Sequence, residues 1–166
     1  LEKEDTSKHV IVCTGKTTDY LKQDWEANDV WNRIILPRFE RMNELYQTNE
    51  FTAQTDEGHT IPSMPLDNQK GFSKKRIDHR HHAMDAIVIA CTTRNHVSLL
   101  SNEASLPENT QTRIVLSKVL REVKHYKDKE GKPQKKKVFI KPWPTVTQDM
   151  ETALNDIVVS FKQNLR

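Results

Sequence analysis

The sequence predicts an α/β fold that is mainly helical, with one short strand and one β-hairpin. Its 166 residues include only four glycines, so few tight turns are available and long helices are favoured over a many-stranded barrel. Apolar residues recur at helical spacing in several stretches, and one lysine-rich stretch has a turn signal between two short β-compatible runs. The length suits one domain or part of a larger one.

The first two elements are expected to be a strand and a helix. Residues 9–14 form a β-branched run that ends at Gly15, which predicts a short buried strand. Thr17 or Thr18 then caps a helix that continues through Asn28. The apolar residues that share one face of this helix are Leu21 and Trp25.

A second helix is predicted for residues 30–47, with Asp29 as its cap. Pro37 lies within this range, so we expect a kink or a break near Leu36. The buried stripe of the helix consists of apolar residues at helical spacing: Trp31, Ile34, Ile35, Phe39, Met42 and Leu45.

The middle of the chain is expected to hold a long loop and the longest helix. Residues 48–73 are rich in Thr, Asn, Gln, Asp, Gly and Pro, which predicts a mobile loop of a length that is often functional. Residues 74–101 then form a helix that is nearly apolar beyond Asp85, so that half is expected to be buried. Its apolar face consists of Ala83, Ala86, Ile87, Val88, Ala90 and Cys91.

The next two elements are a helix and a hairpin. The helix is predicted from Asn109 or Thr110 through Val123. A Glu-Gly-Lys-Pro turn signal separates residues 123–127 from residues 137–140, and this pattern predicts a β-hairpin.

A last helix is predicted from Thr145 or Thr147 through about Lys162. Its apolar stripe consists of Met150, Leu154, Ile157, Val158 and Phe161. We divide the sequence into residues 1–122, which hold the histidine-rich helix, and residues 123–166, which hold the lysine-rich hairpin and the C-terminal helix.

Positive charge is concentrated in one stretch. The net charge of +3 is too small to argue for nucleic-acid binding on its own. Residues 124–141 contain eight lysines against two carboxylates, a local charge of +6, so the rest of the chain carries −3. The stretch is either a solvated hairpin or a patch that follows phosphates and stacks on bases. The residues that would bind nucleic acid are Lys135, Lys136, Lys137 and Trp143.

The cysteines and apolar runs indicate the setting of the protein. Cys13 and Cys91 each lie in an apolar run, and we expect two buried free thiols in a reducing compartment. No signal peptide is visible and no apolar run is long enough to span a membrane. Because the chain begins at Leu1, we expect it to be cut from a longer protein.

Residues 78–85 carry the strongest chemical signal, because a helix brings residues three and four apart together. His82 and Asp85 are three apart, whereas both His81 with Asp85 and Asp78 with His82 are four apart. A carboxylate can hold Mg²⁺ through oxygen, and an imidazole can take a proton from an attacking water near neutral pH. The pattern indicates metal-dependent phosphodiester hydrolysis, in which a metal pair stabilises the attacking and leaving oxygens. The alternative is a set of packed histidines without catalysis.

Two further sites can be weighed from the residues. A zinc site would use His79, His81 and His82, but adjacent histidines on a helix point about 100° apart, and no cysteine lies at metal spacing. A phosphate-binding loop at residues 15–17 requires a glycine five positions before Gly15, where Val10 stands. Nucleotide binding is therefore not expected.

Residues 76–92 closely resemble the third RuvC motif of the type II CRISPR RNA-guided DNA endonucleases, the Cas-nine family. They read Arg-Ile-Asp-His-Arg-His-His-Ala-Met-Asp-Ala-Ile-Val-Ile-Ala-Cys-Thr. Residues 17–25 and 29–42 resemble the stretch upstream of that motif in compact members. Residues 142–145 with 157–162 resemble the region that leads to the PAM-interacting end, so the likeness covers nearly the whole chain.

The resemblance implies an α/β fragment of an RNase H-like RuvC domain that cuts the non-target DNA strand with two Mg²⁺ ions, or with Mn²⁺ in their place. By motif match, His82 is the general base and Asp85 is a metal ligand, with His81 and Asp78 as their supporting neighbours. The implied partners are guide RNA, target DNA, the remaining RuvC segments and the HNH domain. The implied location is the bacterial cytoplasm, with no membrane contact.

The chain also departs from the family. The active site of that family requires an aspartate and a glutamate from two earlier RuvC motifs, and neither motif is present in this sequence. The predicted strand at residues 9–14 contains no carboxylate, and it resembles the segment that follows the HNH domain. The arginine-rich bridge helix and most of the recognition lobe are missing too. We therefore expect the isolated chain to be inactive, and the alternative function is a non-catalytic nucleic-acid-binding module. Without the early strands, the helix face that carries Ile87, Ile89 and Ala90 lacks its partner, which predicts altered packing, self-association or marginal stability.

Overall fold

The computed structural model describes residues 11–56, 58–65, 78–105, 107, 110–128 and 130–159. Within these ranges the chain forms six α-helices and two antiparallel strand pairs. The helices are α1 (Gly15–Asp24), α2 (Ala27–Tyr46), α3 (Arg80–Cys91), α4 (Arg94–Ser105), α5 (Gln111–Leu120) and α6 (Val146–Asn155). The strands are β1 (Thr52–Gln54), β2 (Thr60–Pro62), β3 (Arg121–Lys127) and β4 (Pro133–Phe139). This mainly helical architecture confirms the predicted α/β class.

The chain divides into two units, each made of two separate stretches. Unit 1 comprises Leu1–Trp25 and Val88–Pro142, and unit 2 comprises Glu26–Ile87 and Trp143–Arg166. Helix α3 passes from unit 2 into unit 1. The division of the sequence after residue 122 concerns sequence organisation and stays a prediction.

The core of unit 1 forms around the indole of Trp25, which is 1% exposed. Its Nε1–H donates to the carbonyl oxygen of Ile140 at 3.0 Å, and its ring meets the His96 ring edge-on, with centroids 5.7 Å apart. The Phe139 ring lies 5.3 Å from that of His96, and the Phe139 backbone N–H donates to the Asp24 carboxylate at 2.9 Å. These contacts join α1 to α4 and to β4.

Unit 2 is organised by α2, which contacts both α6 and the β1–β2 hairpin. The Arg33 guanidinium holds the Glu151 carboxylate of α6 through Nη2 at 2.7 Å and Nε at 3.1 Å. Helix α6 in turn buries Met150 and Leu154. The side chains that α2 buries are Ala27, Val30, Trp31, Ile34, Ile35 and Phe39, so most of the predicted stripe is confirmed.

The predicted strand at residues 9–14 is wrong for the four residues that the structure describes. Residues 11–14 have no regular structure, and Val12 is 85% exposed; residues 9 and 10 lie outside the described part. A strand needs a partner, and the strands of the described ranges pair only as β1–β2 and β3–β4. Cys13 is exposed and Cys91 is half-buried, so the expectation of two buried thiols is wrong for the first.

The boundaries of the first two helices differ from the prediction. Helix α1 ends at Asp24, because Glu26 adopts a left-handed conformation with φ of 60° that an α-helix does not tolerate. Asp29 consequently lies in the first turn of α2 and not at its cap. Helix α2 continues through Pro37 without a break, because its buried apolar residues on both sides of the proline offset the lost hydrogen bond.

The single helix predicted for residues 74–101 is two helices where the structure describes it, since residues 74–77 lie outside the described part. The break falls at Thr92 and Thr93. The His96 backbone N–H donates to the Thr93 hydroxyl at 3.4 Å, and His96 Nδ1 accepts the Thr93 backbone N–H at 3.1 Å. This reciprocal pair starts α4 in the manner of a capping box.

The long loop predicted for residues 48–73 contains the β1–β2 hairpin, so the prediction of a loop is wrong for part of that range. Thr52 pairs with Pro62, and Gln54 with Thr60. Asn43 of α2 holds the hairpin, because its Oδ1 accepts the Phe51 backbone N–H and its Nδ2 donates to the Thr52 hydroxyl, both at 2.9 Å. Residues 57 and 66–73 lie outside the described part.

The lysine-rich hairpin is confirmed, with β3 following α5 directly. Helix α6 is shorter than predicted: Ile157 and Val158 lie beyond its end and are exposed, and residue 161 lies outside the described part. In α3, Val88 is buried but Ile89 is 58% exposed, so the expected burial beyond Asp85 is incomplete. Among the described helices, none has the length and apolar character needed to cross a membrane.

Candidate active site

Asp78 fixes the start of α3. Its side chain is 0% exposed, and its Oδ1 accepts the Arg80 backbone N–H at 3.0 Å. The Arg80 guanidinium donates to Oδ2 at 2.8 Å, and Arg38 of α2 approaches the same oxygen at 3.2 Å. A buried carboxylate that accepts a backbone N–H and faces two guanidinium groups holds the first turn of the helix in one position.

The charge of Asp78 follows from these contacts. Burial acts to raise the pKa of its carboxyl group. The hydrogen bonds from the Arg80 side chain and backbone, together with the charges of Arg80 and Arg38, outweigh burial and leave this pKa below its usual value. Asp78 is therefore ionised at neutral pH.

The same network reaches α6. Arg80 Nη1 donates to the carbonyl oxygen of Leu154 at 3.3 Å, in the last turn of α6, where carbonyl groups lack partners within the helix. The N-terminal turn of α3 is thereby attached to α2 through Arg38 and to α6 through Leu154. The first turn of α3, which carries the histidines, is therefore fixed in position relative to α2 and α6.

His81 faces inward. Its Nδ1 lies 2.7 Å from the backbone carbonyl oxygen of Asp78, and its buried ring meets Trp31 of α2 edge-on, with centroids 5.9 Å apart. Because a carbonyl oxygen only accepts hydrogen bonds, Nδ1 of His81 carries a proton. This ring is oriented by the backbone and by Trp31.

His82 faces solvent. Its ring is exposed, lies 3.9 Å from the His81 ring centroid to centroid, and is nearly parallel to the His79 ring at 6.4 Å. Of the three histidines, His81 is buried, whereas His79 and His82 are exposed. His82 is thus accessible to a substrate, and its ring packs against the buried ring of His81.

Asp85 stands three residues after His82 on α3 and is half-buried. Residues three apart on a helix lie on neighbouring positions of one face. Because α3 is a regular helix at both positions, His82 and Asp85 lie on the same face of it, as their spacing predicted.

The described residues fit only part of a metal site. They contain no group of three or more His, Cys, Asp or Glu side chains placed to hold a metal ion. A zinc site made of His79, His81 and His82 is therefore not formed. Magnesium takes octahedral oxygen coordination and usually one or two carboxylates with water and phosphate, and Asp85 suits one such position.

The three lysines predicted to bind nucleic acid lie on two faces of the β3–β4 hairpin. Lys135 pairs across the hairpin with His125, and Lys136 with Lys124, so Lys135 and Lys137 share one face and Lys136 lies on the other. Lys136 Nζ lies 3.4 Å from the Asp24 carboxylate. Trp143 belongs to unit 2, where its indole N–H donates to Asp149 at 2.7 Å. Binding by these residues stays a prediction.

The family model for RuvC endonuclease subdomain 3 matches residues 1–166. The chain belongs to this family. As a RuvC endonuclease subdomain, it is part of a nuclease domain, and RuvC nucleases generally use divalent metals. A search of curated proteins finds no match to this chain.

Sequence reasoning missed the residues that hold this RuvC subdomain's histidine helix in place. The contact of Asp78 with Arg80 could have been found from the sequence, because an aspartate often accepts the backbone N–H of the second residue after it. Arg38 and Trp31 lie about 40 and 50 residues from their partners in the chain, and nothing in their local sequence indicates those contacts.

Proposed function

We propose that this RuvC segment supplies the general base His82 and the metal ligand Asp85 to the nuclease site of a CRISPR RNA-guided DNA endonuclease, where the displaced non-target strand is cut. The main support for this proposal is that His81 is buried and hydrogen-bonded to the backbone, whereas the neighbouring His82 is exposed. Guide RNA and target DNA are the partners, Mg²⁺ is the ion, and the bacterial cytoplasm is the location under this proposal.

The chain's own residues perform two tasks in the proposed reaction. The exposed imidazole of His82 accepts the proton of the attacking water, as a general base within hydrogen-bond reach does. The His81 ring limits where the His82 ring can turn, and the Asp78 network keeps the helix start from shifting. When bound at Asp85 and carboxylates from elsewhere, a divalent metal supplies charge stabilisation for the phosphate.

The test uses the full-length protein that contains this segment. The protein is loaded with guide RNA and given a target DNA duplex whose two strands carry different labels. His82→Ala and Asp85→Ala are each expected to lower displaced-strand cleavage by a factor on the order of 100 or more. Cleavage of the guide-paired strand, which the proposal leaves to the HNH domain, is expected to continue and reports folding and DNA loading.

His79→Ala is the matched control. His79 is exposed and its ring is nearly parallel to that of His82, but His79 has no role in the proposed proton transfer. Displaced-strand cleavage by this variant is expected to stay within about threefold of the unmodified protein, below the range of general-base losses. If His82→Ala cuts the displaced strand as fast as His79→Ala does, the proposal is wrong.

A further inference from the structure

Unit 1 contains a cavity of about 500 Å³ that lies outside the histidine site. It is formed by α4, α5 and the β3–β4 hairpin. The volume falls within the range of ligand pockets, about 300 to 1,000 Å³. The residues that line it are Glu103, Arg113, Ile114, Ser117, Lys118, Arg121, Val123 and Lys137.

The lining is strongly cationic. Among the described residues that line the cavity, four are basic and one is a carboxylate, which gives these residues a net charge of +3. That carboxylate, Glu103, is already engaged, because Arg121 Nη2 donates to its Oε2 at 3.0 Å and Nη1 pairs with its Oε1. The charge of Lys118 and Lys137 is therefore not offset by Glu103.

Arg121 is held in place on two sides. Its guanidinium carbon lies 4.3 Å from the centre of the Phe139 ring, and Glu103 fixes its two terminal nitrogens. Its Nε is buried and has no hydrogen-bond partner in the described ranges. The Arg121 guanidinium therefore keeps one donor that Glu103 does not use, beside a cavity that the same side chain lines.

The cationic surface continues beyond the cavity along the hairpin. Lys137 pairs with Val123, and two positions further out Lys135 pairs with His125. Residues two apart on a strand, and their cross-strand partners, share one face of a hairpin. All three lysines of this surface are exposed: Lys118, Lys137 and Lys135. Lys135 thus adds positive charge beyond the cavity along β4.

We infer that this cavity binds a phosphate group of a nucleic-acid backbone, with the neighbouring phosphate of the same strand on Lys135. Basic side chains on a cavity and on the strand that leaves it suit a polymer of regularly spaced anions. No aromatic side chain is among the described residues that line the cavity, so the proposed contact is with the backbone and does not depend on base sequence. The site uses neither His82 nor Asp85 and goes beyond the proposed function.

The test measures binding of the 166-residue chain to 20-nucleotide oligo(dT) and oligo(rU) over a range of salt concentrations. The double variant Lys118→Gln/Lys137→Gln removes both lysines from the one phosphate that the cavity is proposed to bind. It is expected to reduce the slope of log K against log salt by about 0.7, the value for one lost phosphate contact to a single strand. The control Lys16→Gln/Lys132→Gln removes the same charge from exposed positions of unit 1 and is expected to leave the slope unchanged.

A second readout does not depend on net charge. The NMR signal of the Arg121 Nε–H is expected to shift when either oligonucleotide is added to the unmodified chain, and to stay in place in the lysine double variant. A shift with oligo(rU) alone or oligo(dT) alone assigns the site to that polymer. Equal slope losses in the two double variants, or an Arg121 signal that responds to neither oligonucleotide, overturn the proposal.

Discussion

Asp78 shows how one buried side chain places the proposed catalytic residues. Its carboxylate binds the backbone of the turn that starts α3 and the guanidinium groups of Arg80 and Arg38. The helical period of the sequence was enough to predict that His82 and Asp85 share a face, because that spacing is local. The partnership with Arg38 could not be predicted, because it joins positions about 40 residues apart.

Replacing Asp78 by Asn tests this role. The variant leaves two guanidinium groups near a neutral amide, and the expected loss is about 3 kcal/mol of unfolding free energy, at the low end for a broken buried pair because Arg38 is partly exposed. Urea denaturation measures the loss. Glu130→Gln, which breaks the exposed pair with Lys132, serves as control and is expected to change stability by less than about 0.5 kcal/mol. Equal effects of the two variants would refute the buried network.

His96 gives the chain a dependence on pH. Burial lowers the pKa of its ring below the usual value of 6.5, and its Nδ1 accepts the Thr93 backbone N–H, which requires the neutral form. The unfolded chain therefore binds a proton first, and stability falls as the pH drops below about 6.5. Thermal melts of the chain at pH 7.5 and pH 5.5 should show the lower midpoint at pH 5.5.

The control for this pH effect is His125, an exposed histidine of β3 in the same unit. His125→Gln should keep the difference between the two melting points, and His96→Gln should reduce it. A difference that survives His96→Gln in full would show that other groups cause it.

Elements were predictable where their signals are local. Apolar stripes at helical spacing located α2 and α6, and the Glu-Gly-Lys-Pro turn located the β3–β4 hairpin. The β1–β2 hairpin was missed because its strands are only three residues long and depend on Asn43 of α2. The strand expected at residues 9–14 was wrong where described, because its apolar pattern says nothing about whether a partner strand is available.

Thr93, at the break between α3 and α4, is predicted to stabilise the start of α4. Thr93 accepts the His96 N–H at the start of α4, so Thr93→Ala should cost about 1 kcal/mol, as the loss of a helix cap does. Thr112→Ala, at an exposed position within α5, is the control and should cost less than about 0.5 kcal/mol. Chemical denaturation checks both, and equal costs would mean that Thr93 does not cap α4.

At the scale of the whole molecule, Asp85 is the one carboxylate of this RuvC segment that we assign to the site of the exposed His82. Within the ranges that the structure describes, no group of three or more His, Cys, Asp or Glu side chains is placed to hold a metal ion. Because one carboxylate cannot hold two Mg²⁺ ions, the 166-residue chain alone is expected to show no cleavage of single-stranded DNA with Mg²⁺ or Mn²⁺ above the level of its Asp85→Ala variant. Cleavage by the isolated chain that both His82→Ala and Asp85→Ala abolish would contradict this expectation while supporting the assigned residues.

The most direct test of the central claim is a double-mutant cycle on displaced-strand cleavage in the full-length protein. If His82 and Asp85 act within one site, the single-turnover rates of His82→Ala and Asp85→Ala fall steeply, and the double variant is no slower than the slower single variant. Losses that multiply in the double variant, or a single variant that cuts at the unmodified rate, would contradict the account.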